Sequence, residues 1–320
     1  MAQAGTLRVG FLMDPLESVV VGHDSTFALM LECARRGHAV EYLTQPDLSF
    51  RDGRTCARLR RVQVRREPGN AHTVLEDRCE PLEGLDALLL RKDPPVDAAF
   101  IEATHLVDLA GPHRPFLVNE PSGLRDANEK LFALRFPDLS PPTFVGASRD
   151  RLLAFVEQVG AAVFKPLEGC GGQGVVQVGR GDRNLRALAD LYTGCGRRPV
   201  LAQAYLPEVR QGDKRILLLD GEPLGVVLRV PREDDHRANL AAGGTPVRTA
   251  ITAGDRAICD RLAPELRRMG LHFVGIDVIG GRLTEVNVTS PTGIEEIDAL
   301  EGVRLEAQVI DFLERRAATR

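Results

Sequence analysis

The stretch KPLEGCGGQGVVQV, residues 165 to 178, restricts the fold more than any other part of the chain. Gly169, Gly171 and Gly174 make the spacing G-x-G-x-x-G, which dinucleotide-binding turns share with the glycine-rich loop of protein kinases. A dinucleotide turn needs a helix directly after the glycines, because the pyrophosphate rests on that helix's amino terminus. Here VVQV follows, and its β-branched residues favour a strand. The Rossmann reading fails on context, and no NAD requirement follows. A kinase loop does lie between two strands, but V-A-I-K, H-R-D and D-F-G are missing from the chain.

What survives is a strand, a glycine hairpin and a second strand. Gly169, Gly171, Gly172 and Gly174 would let backbone N–H groups approach a triphosphate closely. Lys165 ends the entering strand, where its ammonium can reach a phosphate as a point charge. From this segment alone, an ordinary surface hairpin with a solvated lysine competes evenly.

With 320 residues, two or three packed units are expected rather than one core. The class is α/β, becoming α+β toward the carboxyl end. Apolar runs and amphipathic stretches alternate at first: TLRVGFLM as strand, DSTFALMLECARRG as helix, AVEYL as strand, then LDALLLR, a helix over VDAAFIEATHLVDLAG, and PFLVN. That pattern predicts a mostly parallel sheet covered by helices in a unit spanning 1–120. A helix over SGLRDANEKLFALRF, ended by Pro137, opens a second unit at 121–200. The third, 201–320, holds the hairpins KRILLLDGEPLGVVLRV and HFVGIDVIGGRLTEVNV, a helix between them and a closing helix. No internal repeat is present.

The second hairpin carries Asp277, Glu285 and Asn287, oxygen ligands of the kind that suit Mg²⁺ together with substrate phosphates. A two-residue turn at Gly280-Gly281 would place Asp277 opposite Thr284 and send Glu285 to the other face. A three-residue loop, Gly280 to Arg282, puts Asp277 opposite Glu285 and is the expectation here. A plain solvated acidic face is the competing reading, weakened by the glycine lid.

Composition excludes several classes. The formal charge of -4 and pI near 6.0 leave no basic field for nucleic acid; the arginines at 58, 60, 61, 65 and 66 read as a solvated hairpin. Six scattered cysteines without C-x-x-C or metal spacing read as reduced thiols of a cytoplasmic protein. The initial apolar run is too short for a signal peptide or membrane span.

Together these segments resemble bacterial glutathione synthetases of the ATP-grasp superfamily over nearly the whole chain. The likeness rests on MDP at 13–15, DSTFAL at 24–29, RKDPP at 91–95, LRDANEKLF at 124–132, KPLEGCGGQG, GDKR at 212–215, NLAAGG at 239–244 and LTEVNVTSPTGI at 283–294. It implies an N-terminal α/β unit followed by an ATP-grasp fold whose lid is 121–200. It also implies ATP-dependent joining of γ-glutamylcysteine to glycine through an acyl phosphate.

By the same resemblance Lys130 and Lys165 contact ATP phosphates, the segment Gln203 to Leu206, including Tyr205, passes the adenine, and Asp213 lies near the ribose. Asp277, Glu285 and Asn287 hold Mg²⁺, with Mn²⁺ as a substitute, and a homo-oligomer is implied. Arg215 enters the apolar run ILLLD aimed at the acidic face and is the expected stabiliser of charge on the transferring phosphoryl group. The connection 231–246 would be a mobile cover, with Arg237 and Asn239 meeting substrate; a disordered loop is the alternative. Asp24, Ser25, Arg91 and Asp93 are expected at the dipeptide, although Asp24 and Ser25 also suit a helix cap. Ser290, Thr292 and Gly293 would cradle the glycine carboxylate.

Two departures stand out. Glu295 and Thr245 occupy places where the family often carries basic residues, which puts the exact substrates in question more than ATP or metal. A ligase for other amino acids and a non-catalytic ATP-binding module are the alternatives.

Overall fold

The computed structural model describes residues 5–235 and 237–319; His236, inside the 231–246 connection, lies outside the described residues. The strands are β1 (Arg8–Met13), β2 (Ala39–Leu43), β3 (Leu48–Arg51), β4 (Arg54–Val64), β5 (His72–Pro81), β6 (Ala87–Arg91), β7 (Phe116–Val118), β8 (Thr143–Gly146), β9 (Ala161–Pro166), β10 (Val176–Gly179), β11 (Val200–Ala204), β12 (Asp213–Leu219), β13 (Glu222–Val230), β14 (Thr245–Val247), β15 (Phe273–Ile279) and β16 (Arg282–Asn287). The helices are α1 (Ser25–Arg35), α2 (Ala98–Asp108), α3 (Pro121–Asp126), α4 (Arg149–Val159), α5 (Leu185–Thr193), α6 (Ala253–Arg268), α7 (Ile294–Glu301) and α8 (Leu305–Ala317).

Three sheets result. The first runs β3-β4-β2-β1-β6-β7, with β5 added on β4. Its β2, β1, β6 and β7 are parallel, and β1, β2, β6 and β7 are near-continuous apolar runs buried on both faces, as a helix-covered parallel sheet requires. The arginine-rich segment is β4, whose hairpin with β5 pairs Arg58 with Asp77 and Arg61 with Glu76 at the exposed surface. The second sheet is β10-β9-β11-β8 and the third β14-β13-β12-β15-β16, both antiparallel. Buried Asn119 joins first and third sheets: its amide donates to the carbonyls of Phe273 and Val288 at 2.8 and 2.7 Å and accepts from the Phe273 N–H at 2.8 Å.

Three expectations need correction. The helix read across SGLRDANEKLFALRF stops at Asp126 and resumes only as a 3₁₀ turn at Phe132–Arg135. Asn128 is the cause: its Oδ1 accepts from the N–H groups of Lys130 and Leu131, both at 3.1 Å, and so competes with the helical ladder. The single closing helix is two, because Gly302 takes a left-handed conformation after α7 (φ 68°) and turns the chain into α8. The loop of the β15–β16 hairpin is two residues long, with Ile279 facing Arg282 across Gly280 and Gly281, whose φ of 56° and 74° suit a tight hairpin turn.

Asp277 nevertheless faces Glu285. Val278 pairs with Leu283, then Asp277 with Glu285, so Thr284 is an extra residue on the return strand, a β-bulge. The β12–β13 hairpin repeats the device. Leu218 faces Pro223 and Leu217 faces Gly225, so Leu224 is skipped, and from there the register brings Asp213 opposite Arg229.

Candidate active site

A cleft of about 290 Å³ opens between the second and third sheets. The glycine loop, held between β9 and β10, forms one wall. Lys130 and Lys165 reach it from that side, Lys130 donating to the Gly169 carbonyl at 2.8 Å. Gly169, Gly171, Gly172 and Gly174 all have positive φ, between 62° and 92°, which side chains rarely tolerate. Gly172 is also close to its surroundings: a Cβ there would lie 3.1 Å from Asn239 Oδ1 and 3.2 Å from Arg237 Cδ.

The opposite wall is one face of the third sheet. Arg215 and Asp277 are direct cross-strand neighbours, as are Asp277 and Glu285. Arg215 Nε donates to Asp277 Oδ1 at 2.6 Å and its Nη2 to Oδ2 at 3.1 Å, a two-pronged grip. Arg229 Nη2 lies 2.6 Å from Asp213 Oδ2 and 3.0 Å from Asp277 Oδ1. Glu285 Oε1 meets Lys165 Nζ at 3.3 Å, joining the two walls.

This packing sets the charges. Burial acts to raise the Asp277 carboxyl, but the guanidinium groups of Arg215 and Arg229 outweigh it and hold it well below the usual carboxylate range. For Asp213 burial wins over Arg229, pushing it up to about 6. Burial likewise raises Glu129 and Asp93, and it lowers the Arg91 guanidinium to about 10.

Of the residues singled out in the sequence, the cleft brings together Lys130, Lys165, Gly169, Gly171, Gly172 and the segment Gln203, Tyr205 and Leu206. Asp213, Arg215, Asp277, Glu285 and Asn287 line it too, with Arg237 and Asn239 from the 231–246 connection and Asp93, Ser290, Thr292 and Gly293 at the far end. Gly174, Asp24, Ser25 and Arg91 stand behind this lining. Asp24 caps α1, accepting from the Phe27 N–H at 2.9 Å. Ser25 does not cap α1: its Oγ accepts from the N–H groups of Gly293 and Ile294 at 3.1 and 3.2 Å, fastening the start of α7. Arg91, fully buried, donates to Thr26 Oγ1 at 3.1 Å and the Pro291 carbonyl at 2.9 Å.

Two cleft residues escaped the sequence reading. Glu129, which accepts from Thr289 Oγ1 at 2.9 Å, was hidden because the surrounding segment reads as helix. Arg229 was hidden by the bulge at Leu224; an unbroken register would face Asp213 with Leu228. Glu295 is gripped by Arg66 from the β4–β5 hairpin at 2.8 and 2.9 Å, so the acid in the first turn of α7 has its counter-charge from the first sheet.

The oxygens of Asp277, Glu285 and Asn287 share one end of the cleft and suit a hard divalent cation. Among the described residues no three His, Cys, Asp or Glu side chains are gathered for a metal, so a cation here would need phosphate oxygens to complete its shell. Nor is any described helix long and apolar enough to cross a membrane.

Comparison with known proteins agrees with this geometry. Residues 7–125 match the family model for the prokaryotic glutathione synthetase N-terminal domain and residues 129–302 that for its ATP-grasp domain. Glutathione synthetases of Gloeobacter violaceus and Thermosynechococcus vestitus are 49% and 46% identical; 96% of this chain is covered in both matches, with 96% and 99% of those proteins. Among solved structures, D-cycloserine synthetase DcsG aligns over 97% of this chain and 99% of its own with TM-score 0.64 at 17% identity. A RimK-domain ATP-grasp protein from Sphaerobacter thermophilus aligns over 95% and 98% with TM-score 0.62 at 18% identity, a likeness of fold. With a glycine flap and an acidic hairpin facing one cleft, and with both family models matched in order, the chain belongs to the prokaryotic glutathione synthetase family.

Proposed function

We infer that this cleft performs ATP-dependent ligation of γ-glutamylcysteine to glycine, yielding glutathione, ADP and phosphate. The observation that carries the reading is the contact between Lys165, at the base of the glycine flap, and Glu285, on the acidic hairpin: the two elements face one bound triphosphate. The flap's N–H groups, Lys130 and Lys165 hold phosphates, the strand end at Gln203 to Leu206 takes the adenine, and Asp213 the ribose. Asp213 Oδ1 and Arg229 Nε are buried there without protein partners, an acceptor and a donor suited to one hydroxyl.

The cysteinyl carboxylate takes the γ-phosphoryl group, which turns a poor leaving oxygen into a good one. Arg215 offsets the charge that crowds the transferring group. Mg²⁺, for which Mn²⁺ substitutes, is held by Asp277, Glu285 and Asn287 and supplies further neutralisation of phosphate charge. Arg237, beside the Gly172 carbonyl at 3.5 Å, and Asn239 close the flap and keep water from the acyl phosphate. Ser290, Thr292 and Gly293 orient the glycine whose amine attacks it, while Asp93 and Arg91 serve the dipeptide end.

This reading divides the chain at 1–120, 121–200 and 201–320, supported in outline by the three sheets, with β11 (Val200–Ala204) of the second sheet running past the boundary at 200. It also includes a reduced cytoplasmic setting, supported by six free cysteines, and a homo-oligomer, supported by family likeness. Phosphate release measured with ATP, γ-glutamylcysteine and glycine tests it: release should depend on both amino substrates. Equal release with another acceptor, or ATP binding without substrate-dependent turnover, would overturn it.

A further inference from the structure

Glycine reaches the cleft as an ammonium and must lose a proton before its nitrogen can attack. Among the described residues the cleft lining holds no histidine, and its carboxylates are Asp93, Glu129, Asp213, Asp277 and Glu285. Four of these are committed to protein partners. Asp213 and Asp277 are gripped by Arg229 and Arg215, Glu285 meets Lys165, and Glu129 accepts from Thr289 Oγ1 at 2.9 Å. Cys170 also lines the cleft, but burial, followed by Asp93 and Glu129, raises its thiol, which therefore keeps its proton at neutral pH. Asp93 is left. The neighbouring Lys92 ammonium pairs with Asp14 instead, at 2.9 Å.

Asp93 follows β6, at the carboxyl end of the sheet. Its main chain is fixed on both sides: its N–H donates to Asp14 Oδ2 at 2.9 Å, and its carbonyl accepts from Lys92 Nζ at 2.7 Å. The residue itself stays exposed at the far end of the cleft, where the Ser290 hydroxyl reaches its carboxyl. Behind that same 290–293 loop stands Arg91, which donates to the Pro291 carbonyl at 2.9 Å and keeps Nη1 without a protein partner. The loop thus has an anion on its cleft side and a cation behind it. That arrangement suits a zwitterion whose carboxylate lies on the loop and whose ammonium turns to Asp93. Burial, helped by Asp14 and Asp24, raises the Asp93 carboxyl against the pull of the Ser290 hydroxyl and Arg91, which brings it nearer the range in which a carboxylate accepts protons well.

We propose that Asp93 is the base that takes a proton from the glycine ammonium for its attack on the acyl phosphate. Asp93 accepts one N–H proton, which frees the lone pair that forms the C–N bond. The C–O bond to phosphate then breaks with its electron pair going to the phosphate, and the phosphate takes the second N–H proton. Asp93 returns its own proton to water when product leaves. The proposal rests on the ligase reading above, and the two fail separately: a parent chain without glycine-dependent phosphate release sinks that reading, whereas the base assignment is decided by how variants treat two different amines.

Phosphate release by the full chain is measured with ATP, γ-glutamylcysteine and either glycine or hydroxylamine, an amine already unprotonated at neutral pH that needs no base. Asp93→Asn should lose about 100-fold in glycine-dependent release at pH 7 while hydroxylamine-dependent release stays within about threefold of the parent. From pH 7 to 9 the kcat/KM of Asp93→Asn for glycine should climb about tenfold per unit, following the free amine, where the parent stays nearly flat. Asp93→Ala should show the same split, and added formate should restore part of its glycine-dependent release. Equal losses with both amines would make Asp93 a dipeptide-binding residue only and overturn the proposal. So would near-parental glycine-dependent release at pH 7 by either variant.

Discussion

Asp277 and Glu285 face each other across a two-residue hairpin because Thr284 is an extra residue on the return strand. Side chains alternate along a strand, so without the bulge Glu285 would turn into the apolar face that Ile276 and Val286 share. The Asp213–Arg229 pair depends in the same way on Leu224. Two bulges thus put the alternating charges of the third sheet on one wall.

Deleting Thr284 should therefore be tolerated, because it removes the extra residue and leaves Val278 opposite Leu283 and Asp277 opposite Glu285 in an unbroken ladder. Phosphate release is expected to stay within about tenfold of the parent, as for Thr284→Val, which keeps the residue count; a fall of more than about 100-fold on deletion would show that the bulge itself shapes the site. Glu285→Gln should abolish turnover with melting close to the parent, since Glu285 is only half-buried. Near-parental release by Glu285→Gln would remove Glu285 from the site.

Gly174 lies outside the cleft lining, yet the flap's shape depends on it. Its φ is 66° and a Cβ would come 2.9 Å from Pro166 Cγ. Gly174→Ala should cost about 1–2 kcal/mol of local strain and raise the KM for ATP several-fold, with the KM for glycine nearly unchanged. Steady-state kinetics with each substrate varied in turn decides it.

Ser25 satisfies two buried N–H groups where the 290–293 loop enters α7. Ser25→Ala leaves both without an acceptor, at about 1–3 kcal/mol for each. The KM for glycine and for the dipeptide should rise, and the KM for ATP should move least. An unchanged dipeptide KM would show that the loop holds its shape without this hydroxyl.

Asp298 on α7 sits beside Glu306 of α8, and burial, followed by that neighbour, pushes its carboxyl up from 3.8 to about 8. A carboxyl raised in the folded state binds its proton more tightly there than in the unfolded chain. The stability it confers is full below about pH 4 and is lost as pH rises to about 8. Between pH 6 and 9 the melting temperature should fall for the parent and fall less for Asp298→Asn. Equal slopes would count against the shift.

How much was legible follows from the range of each interaction. The parallel core of the first sheet, the capped α1, the glycine flap and the acidic hairpin could be read directly, because apolar runs, Asp24 at a helix start and β-branched residues after glycines act over a few neighbours. The family likeness rested on such local segments too. Asn128 broke an expected helix because its side chain found backbone partners that periodicity does not record.

What the amino-acid order alone determined was therefore the kind of elements and the chemistry each carries: a glycine loop that cannot precede a helix, and oxygen ligands on a ribbon. The tertiary structure decided the registers, through bulges at Thr284 and Leu224, and the alliances that follow from them, Arg229 with Asp213 and Asp277, Ser25 with the start of α7, Arg66 with Glu295. Those contacts join residues from 16 positions apart, as in Arg229 and Asp213, to 269 apart, as in Ser25 and Ile294. Such pairs form only when packed sheets bring distant strands to one wall, where burial makes an unpaired charge too costly to leave.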